Sequence, residues 1–149
     1  MASFPASIVT PERVLLEAEE VEAVVLRTDS GDATFLANHA DLVGAVVPGA
    51  CRLQREDGSE ERFAVHGGFV QVGGNRVTVL APIAERADEI DVDRAQRALE
   101  AAEQRLAEAG AKGGGAPGAE EEEPDPERAD AEAAAQRARV RLEVAGAGQ

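Results

Sequence analysis

The sequence predicts an all-β N-terminal sandwich or barrel followed by a C-terminal antiparallel α-helical hairpin, β then α and segregated. Three observations predict it. Residues 1–89 hold short Val- and Leu-rich runs separated by Gly-, Pro- and Asp-rich turn signals, at intervals of roughly 8–12 residues. Residues 90–149 are dominated by Ala, Glu and Arg, with apolar residues at alternating three- and four-residue steps. A Gly-, Pro- and Glu-rich segment at 110–125 divides that second part. The expected organisation is therefore a β-unit over 1–89 and a helical hairpin over 90–149, with its linker at 110–125.

The β-half reads in order as follows. Val14-Leu15-Leu16 leads into Val21 and Ala23-Val24-Val25-Leu26, with acids between. Asp29-Ser30-Gly31-Asp32 is a turn signal, and Ala33-Thr34-Phe35-Leu36 after it is a short β-compatible run. Leu42-Val43-Gly44-Ala45-Val46-Val47 ends at Pro48-Gly49, another turn. Cys51, Leu53 and Arg55 alternate with Arg52, Gln54 and Glu56 up to Asp57-Gly58, the best hairpin signal in the chain. Phe63-Ala64-Val65-His66 runs into Gly67-Gly68, where a bend or a close approach with no room for Cβ is expected. Phe69-Val70-Gln71-Val72 and Val77-Thr78-Val79-Leu80 flank Gly73-Gly74-Asn75, a second hairpin. So many strands need a closed or double-layered sheet to manage their edges. Cys51 reads as core packing and His66 as a strand residue with no special task.

In the helical half, Val92, Ala95, Leu99, Ala102 and Leu106 form one stripe, with Asp91 as the N-cap. Gly110 and Gly113-Gly114-Gly115 are the expected stop. Ala116 to Asp125, with Glu120-Glu121-Glu122-Glu123 in its middle, reads as a solvated linker. A second helix follows from Pro126, a residue suited to a first turn, with the stripe Ala131, Ala135, Ala138, Leu142 and Ala145. Two helices of about 20 residues are each about 30 Å long. Their stripes are mostly Ala, which buries little area at about 25 cal/mol per Å². These helices should form readily yet dock weakly, and move at a cost of a few kcal/mol.

Composition excludes several function classes. The chain has 149 residues, 15 Lys plus Arg against 29 Asp plus Glu, and a net charge of −14. The acidity is spread over both halves, and a field of that sign repels nucleic acids and anionic lipid surfaces. Aromatics are 3%, with no Trp or Tyr, so no base-stacking platform is available. A single Cys excludes an internal disulfide and a Cys-based zinc cluster, two His (His39, His66) cannot make a multi-His site without carboxylate help, and no metal site is expected. The start MASFPASIV lacks the basic and long apolar regions of a signal peptide, and no apolar stretch is long enough to span a bilayer.

In chain order, Ile8-Val9-Thr10-Pro11-Glu12, Ser30-Gly31-Asp32, Asn38-His39-Ala40, Leu42-Val43, Pro48-Gly49, Ala64-Val65-His66-Gly67-Gly68-Phe69, Val77-Thr78-Val79-Leu80-Ala81 and Ile90-Asp91-Val92-Asp93-Arg94-Ala95 resemble segments of the epsilon subunit family of bacterial F-type ATP synthases. The specific matches run over 8–95, and the helical hairpin is similar by composition. Two departures stand out. Ala37-Asn38 replaces the family's Pro-Gly before the His, although Asn also admits positive φ, and the linker is longer than usual.

The resemblance implies a rotor part and no catalyst, hence no catalytic residues. The β-unit would bind the gamma subunit and the c-ring and help couple ring rotation to ATP synthesis. The helices would extend toward the alpha/beta subunits of the catalytic head and inhibit ATP hydrolysis, with Arg137, Arg139 and Arg141 meeting acidic groups there. The implied c-ring contact is Asp32, Phe35, Leu36 and His39, against the simpler reading of Asp32 as a turn residue and Phe35 as core. The implied nucleotide-binding set is Glu85, Ile90, Asp91, Arg94, Ala95, Arg137 and Arg141, with Ala101 where a further Arg is expected. Arg137 and Arg141 are four apart and share a helical face, suited to phosphates, while the simpler reading is a cap at Asp91 and surface arginines. No cofactor is required, and ATP would be regulatory. The protein would sit on the cytoplasmic face of the bacterial plasma membrane, held there only through the complex. The alternative is a free-standing nucleotide-sensing or adaptor β-sandwich module. An enzyme built on Cys51, His39 and His66 lacks any nucleophile elbow or phosphate loop.

Overall fold

A computed structural model describes residues 2–112 and 125–146. Nine strands come first: β1 Phe4–Val9, β2 Val14–Thr28, β3 Gly31–Leu36, β4 Leu42–Val46, β5 Gly49–Arg55, β6 Glu60–Val65, β7 Gly68–Gly73, β8 Arg76–Leu80 and β9 Ala84–Arg86. A single 3₁₀ turn, Ala87–Glu89, leads to helices α1 Val92–Lys112 and α2 Pro126–Gly146. The sheet runs β1-β8-β7-β4-β2-β5-β6-β9, with β3 on β2 and a further β1–β2 pairing. The 15-residue β2 serves both layers. Its first half pairs with β1 (Ile8 with Leu16), and its second half pairs with β3 and β5 (Val24 with Phe35 and with Leu53). A register shift between Val21 and Ala23 gives the bend this requires.

The alternation expected of half-buried strands decides the core. Phe4, Ile8, Val70, Val72, Val77 and Val79 come from one layer and meet Val24, Leu26, Phe35, Cys51, Leu53, Phe63 and Val65 from the other. Asp57-Gly58 and Gly74-Asn75 turn their hairpins as read from the sequence. Gly74 and Asn75 have φ of 58° and 56°, the paired left-handed residues of a type I′ turn. Gly68 is the close approach: at φ 125°, a Cβ there would collide with the Leu80 carbonyl oxygen. Asn38 does adopt positive φ (61°), and its N–H donates to Asn75 Oδ1 at 2.7 Å. The short edge strand β9 carries no periodic signal and was not expected.

Asp91 caps α1 as predicted: the Arg94 N–H donates to Asp91 Oδ1 at 3.1 Å. Asp125 does the same for α2, where the Glu127 N–H donates to Asp125 Oδ1 at 3.0 Å. The helices are antiparallel, since Arg105 pairs with Asp130 near one end while Arg94 and Arg141 meet at the other. Helix α1 runs through Gly110 to Lys112, so Gly110 does not stop it. The Gly113-Gly114-Gly115 stop and the linker up to 124 lie outside the described residues.

The stripe reading of α2 is half the answer. Ala131, Ala135 and Ala138 are buried, but so are Val140 and Val144, which lie off that stripe. Val140 and Val144 form a second small cluster with Ala64 of β6, flanked by Ala50, Ala87 and Ile90. Helix α2 thus lies between α1 and the outer face of the β5–β6 layer and needs two apolar faces. A single-stripe reading sees only one.

Candidate functional site

Where the sandwich, the 3₁₀ turn and the two helices meet, they enclose a polar cavity of about 320 Å³. Glu85 enters from β9, Glu89 and Ile90 from the turn, Asp91, Arg94 and Ala95 from the start of α1, and Arg141 from α2. Six of the seven residues of the nucleotide-binding expectation are thereby brought together across 56 positions of sequence. Arg137 does not line the cavity. It sits one turn earlier on α2 and acts electrostatically on His66.

The cavity holds opposed charges. Arg141 Nε donates to Glu85 Oε2 at 2.8 Å, with both side chains about a quarter exposed (27%). Burial opposes the charge on Glu85, but the Arg141 hydrogen bond and charge outweigh it and hold the carboxyl below its ordinary value. Glu89 faces Arg13 in a two-point pair, Nη2 to Oε2 at 2.8 Å and Nη1 to Oε1 at 3.4 Å. The Arg13 hydrogen bond keeps Glu89 ionised below the usual range. Asp91 is committed to its cap. Arg94 makes no ion pair with the described residues and is the free cation of the cavity. Arg141 holds Glu85 through Nε, which leaves its Nη groups to meet an anion together with Arg94. Ala101 is exposed, so the family's further Arg has no substitute there.

The second expected surface divides. Asp32 and Leu36 are exposed on one face of β3, and His39 is exposed in the turn beyond it. Phe35 is 2% exposed and belongs to the core, which corrects its assignment to a contact surface. Strand parity is the reason: Phe35 alternates with Thr34 and Leu36 and points inward. What it offers the surface is support, because the His39 ring stands edge-on to it at 5.1 Å. Asp32 Oδ1 lies 3.6 Å from Arg27 Nε, and Arg27 Nη2 also binds Glu143 Oε1 of α2 at 2.9 Å. Asp32 is therefore tied to the docked helix.

Two features escaped the sequence. One is a shallow apolar depression of about 660 Å³, floored by Phe69 and Leu80 and rimmed by Pro11 and Pro82. Phe69 is 59% exposed, and its outward position follows from alternation with buried Val70 and Val72, a signal that was present. The other is His66, which is buried. Cys51 is fully buried, and burial pushes its thiol up to about 12, so it is no nucleophile. Among the described residues no group of three or more His, Cys, Asp or Glu could hold a metal ion, and no helix is long and apolar enough to cross a membrane.

A β-sandwich with a helical hairpin laid on one outer face, and a polar cavity between them, defines a two-part β-then-α class of protein. Family models agree in both parts: residues 3–87 match the β-sandwich domain and residues 88–146 the long α-helix domain of the ATP synthase delta/epsilon chain. The chain belongs to that family, whose members are accessory rather than catalytic subunits. It is 48% identical over 106 residues to the ATP synthase epsilon chain of Desulforudis audaxviator, covering 71% of this chain and 76% of that one. It is 42% identical over 107 residues to that of Shouchella clausii, covering 72% and 79%. A chain of the Euglena gracilis mitochondrial ATP synthase, solved as OSCP/F1/c-ring, shares the fold at a TM-score of 0.75 and 23% identity, covering 100% of this chain and 83% of that one.

Proposed function

We propose that this chain is the epsilon subunit of the central stalk of a proton-translocating F-type ATP synthase, that it couples c-ring rotation to ATP synthesis, and that its helices restrain ATP hydrolysis. The docked hairpin carries the regulatory part. Helix α2 rests on the sheet through Val140 and Val144 and through ion pairs at Arg27–Glu143 and Arg141–Glu85. So small a contact is reversible at a cost of a few kcal/mol. Release would free Arg137, Arg139 and Arg141 for acidic groups on the alpha/beta head. ATP in the cavity, its phosphates on Arg94 and Arg141 with Arg137 beside them, would hold the hairpin down.

The apolar depression at Phe69 and Leu80 is the face we assign to the gamma subunit, because it is a large exposed apolar surface that the hairpin leaves uncovered. Asp32, Leu36 and His39 are assigned to the polar loops of the c-ring. The protein would lie on the cytoplasmic face of the bacterial plasma membrane, held by these partners. The test compares ATP hydrolysis by a gamma-containing catalytic head with the full chain or with a chain stopped after Asp88. The sandwich core lies wholly within residues 4–84, so the shortened chain keeps it. Inhibition by the full chain alone supports the reading, and equal rates from two forms that both bind would overturn it.

A further inference from the structure

His66 closes β6 at the place where α2 lies on the sheet. Its backbone N–H donates to the Ile83 carbonyl at 3.0 Å, which fixes the strand end. Its side chain is 3% exposed, and neither ring nitrogen has a hydrogen-bond partner among the described residues. Buried polar groups are normally satisfied, so this one needs a reason. The nearest acceptor is Glu85 Oε2, 3.7 Å from Nε2 and too far for a hydrogen bond. That same oxygen already accepts from Arg141 Nε at 2.8 Å.

The charged groups that bear on the ring are Glu85 from β9 and Arg137 and Arg141 from α2. The anion belongs to the sandwich, and both cations belong to the helix. With α2 in place, the imidazole is desolvated, and its carboxylate neighbour is spent on Arg141. With α2 lifted away, water reaches the ring, both guanidiniums leave, and Glu85 is left facing His66 alone. The docked form therefore selects neutral imidazole, and the undocked form selects imidazolium.

We infer that His66 is a proton-sensitive latch for the C-terminal helices: α2 lies on the sandwich while His66 is neutral, and protonation of His66 releases it. The direction follows from linkage. Burial, then Arg141, lower the His66 pKa in the docked form against the pull of Glu85, with Arg137 adding to the lowering. The undocked form thus binds more protons, so docking is complete well above the ordinary value of 6.5 and weakens as pH falls through it. Between pH 7.5 and 5.5 the undocking equilibrium should rise about tenfold, the limit for a ring that protonates only when undocked. Acidification on this side of the membrane would thus favour the extended helices.

The test uses the isolated full chain without nucleotide or catalytic head, so its failure leaves the braking and nucleotide-binding readings standing. Amide hydrogen exchange is followed by NMR at Val140 and Val144 of α2 and at Val70 and Val79 of the core, corrected for the intrinsic pH dependence of exchange. Protection at Val140 and Val144 is expected to fall about tenfold from pH 7.5 to 5.5 while the core amides hold. His66→Gln should flatten that response, and His39→Gln should keep it. Unchanged protection in the natural chain, or the same fall in His66→Gln, would overturn the inference. So would a His66 ring that titrates at its ordinary value while α2 stays protected, a reading that needs no variant.

Discussion

Replacing Val140 and Val144 together by Ala removes four buried methyl groups from the face that α2 turns to the sheet. The two side chains are 4% and 0% exposed and meet Ala64, Ala50, Ala87 and Ile90. At about 0.8 kcal/mol per buried carbon the transfer loss is about 3 kcal/mol, and the space left against rigid strands adds about 1 kcal/mol. What remains is small alanines and two ion pairs, of which Arg27–Glu143 is surface-exposed and worth at most about 1 kcal/mol. A loss of about 3–4 kcal/mol raises the undocked population by more than 10²-fold. Trypsin reads this directly, because Arg137, Arg139 and Arg141 lie on α2 and an undocked Ala-striped hairpin has little core to resist cleavage. Where re-docking outpaces cleavage, the rate follows the open population. Cleavage at those three sites should rise by about 10²-fold or more, with Arg52 and Arg62 of the sandwich still resistant. Unchanged cleavage would refute the claim that the valines hold the helix. A parallel rise at Arg52 and Arg62 would show helix and sandwich to be one cooperative unit.

Further outcomes follow from the same structure. Gly68→Ala places a Cβ against the Leu80 carbonyl at φ 125°, and calorimetry should show a loss above about 2 kcal/mol, a fall in Tm of about 10 °C. Gly74→Ala, with open space around it at φ 58°, should cost about 1 kcal/mol in the same measurement. Arg94→Ala removes the free cation of the cavity and should weaken ATP binding by about tenfold or more in titration calorimetry, whereas Arg97→Ala, on the same helix but outside that cavity, should not. Phe69→Ser with Leu80→Ser alters side chains that are 59% and 44% exposed, so stability should hold within about 1 kcal/mol while co-purification with the gamma subunit is lost.

Strand parity and turn chemistry are local, and they were legible. Asp57-Gly58 and Gly74-Asn75 turn where their residue types demand, Gly68 is where a Cβ cannot fit, and Asp91 caps the helix it precedes. The family motif around Ile90-Asp91 and Arg94-Ala95 pointed to one place, and the fold brings Glu85 and Arg141 to it from 56 positions apart. Phe35 entered the contact set through the family resemblance, and strand parity places it inside, as the simpler reading of it as core has it. β9 was missed because three residues on an edge carry no period. The second face of α2 was missed because Val140 and Val144 fall between the alanines of the dominant stripe.

Periodicity, turn residues, charge and the order of the motifs along the chain are one-dimensional, and they established a β-sandwich, two helices, an acidic non-catalytic protein and its family. Contacts between distant segments are not written in any local pattern. Only the packed chain shows that α2 sits between α1 and the β5–β6 face, because that depends on which apolar faces remain uncovered after the strands have closed. Only the packed chain shows Glu85 shared between Arg141 and the neighbourhood of His66, because the ion pair that offsets the cost of burial there forms only when β9 and α2 are brought together. A histidine that looks ordinary in its strand acquires its character from a helix that begins 60 residues later.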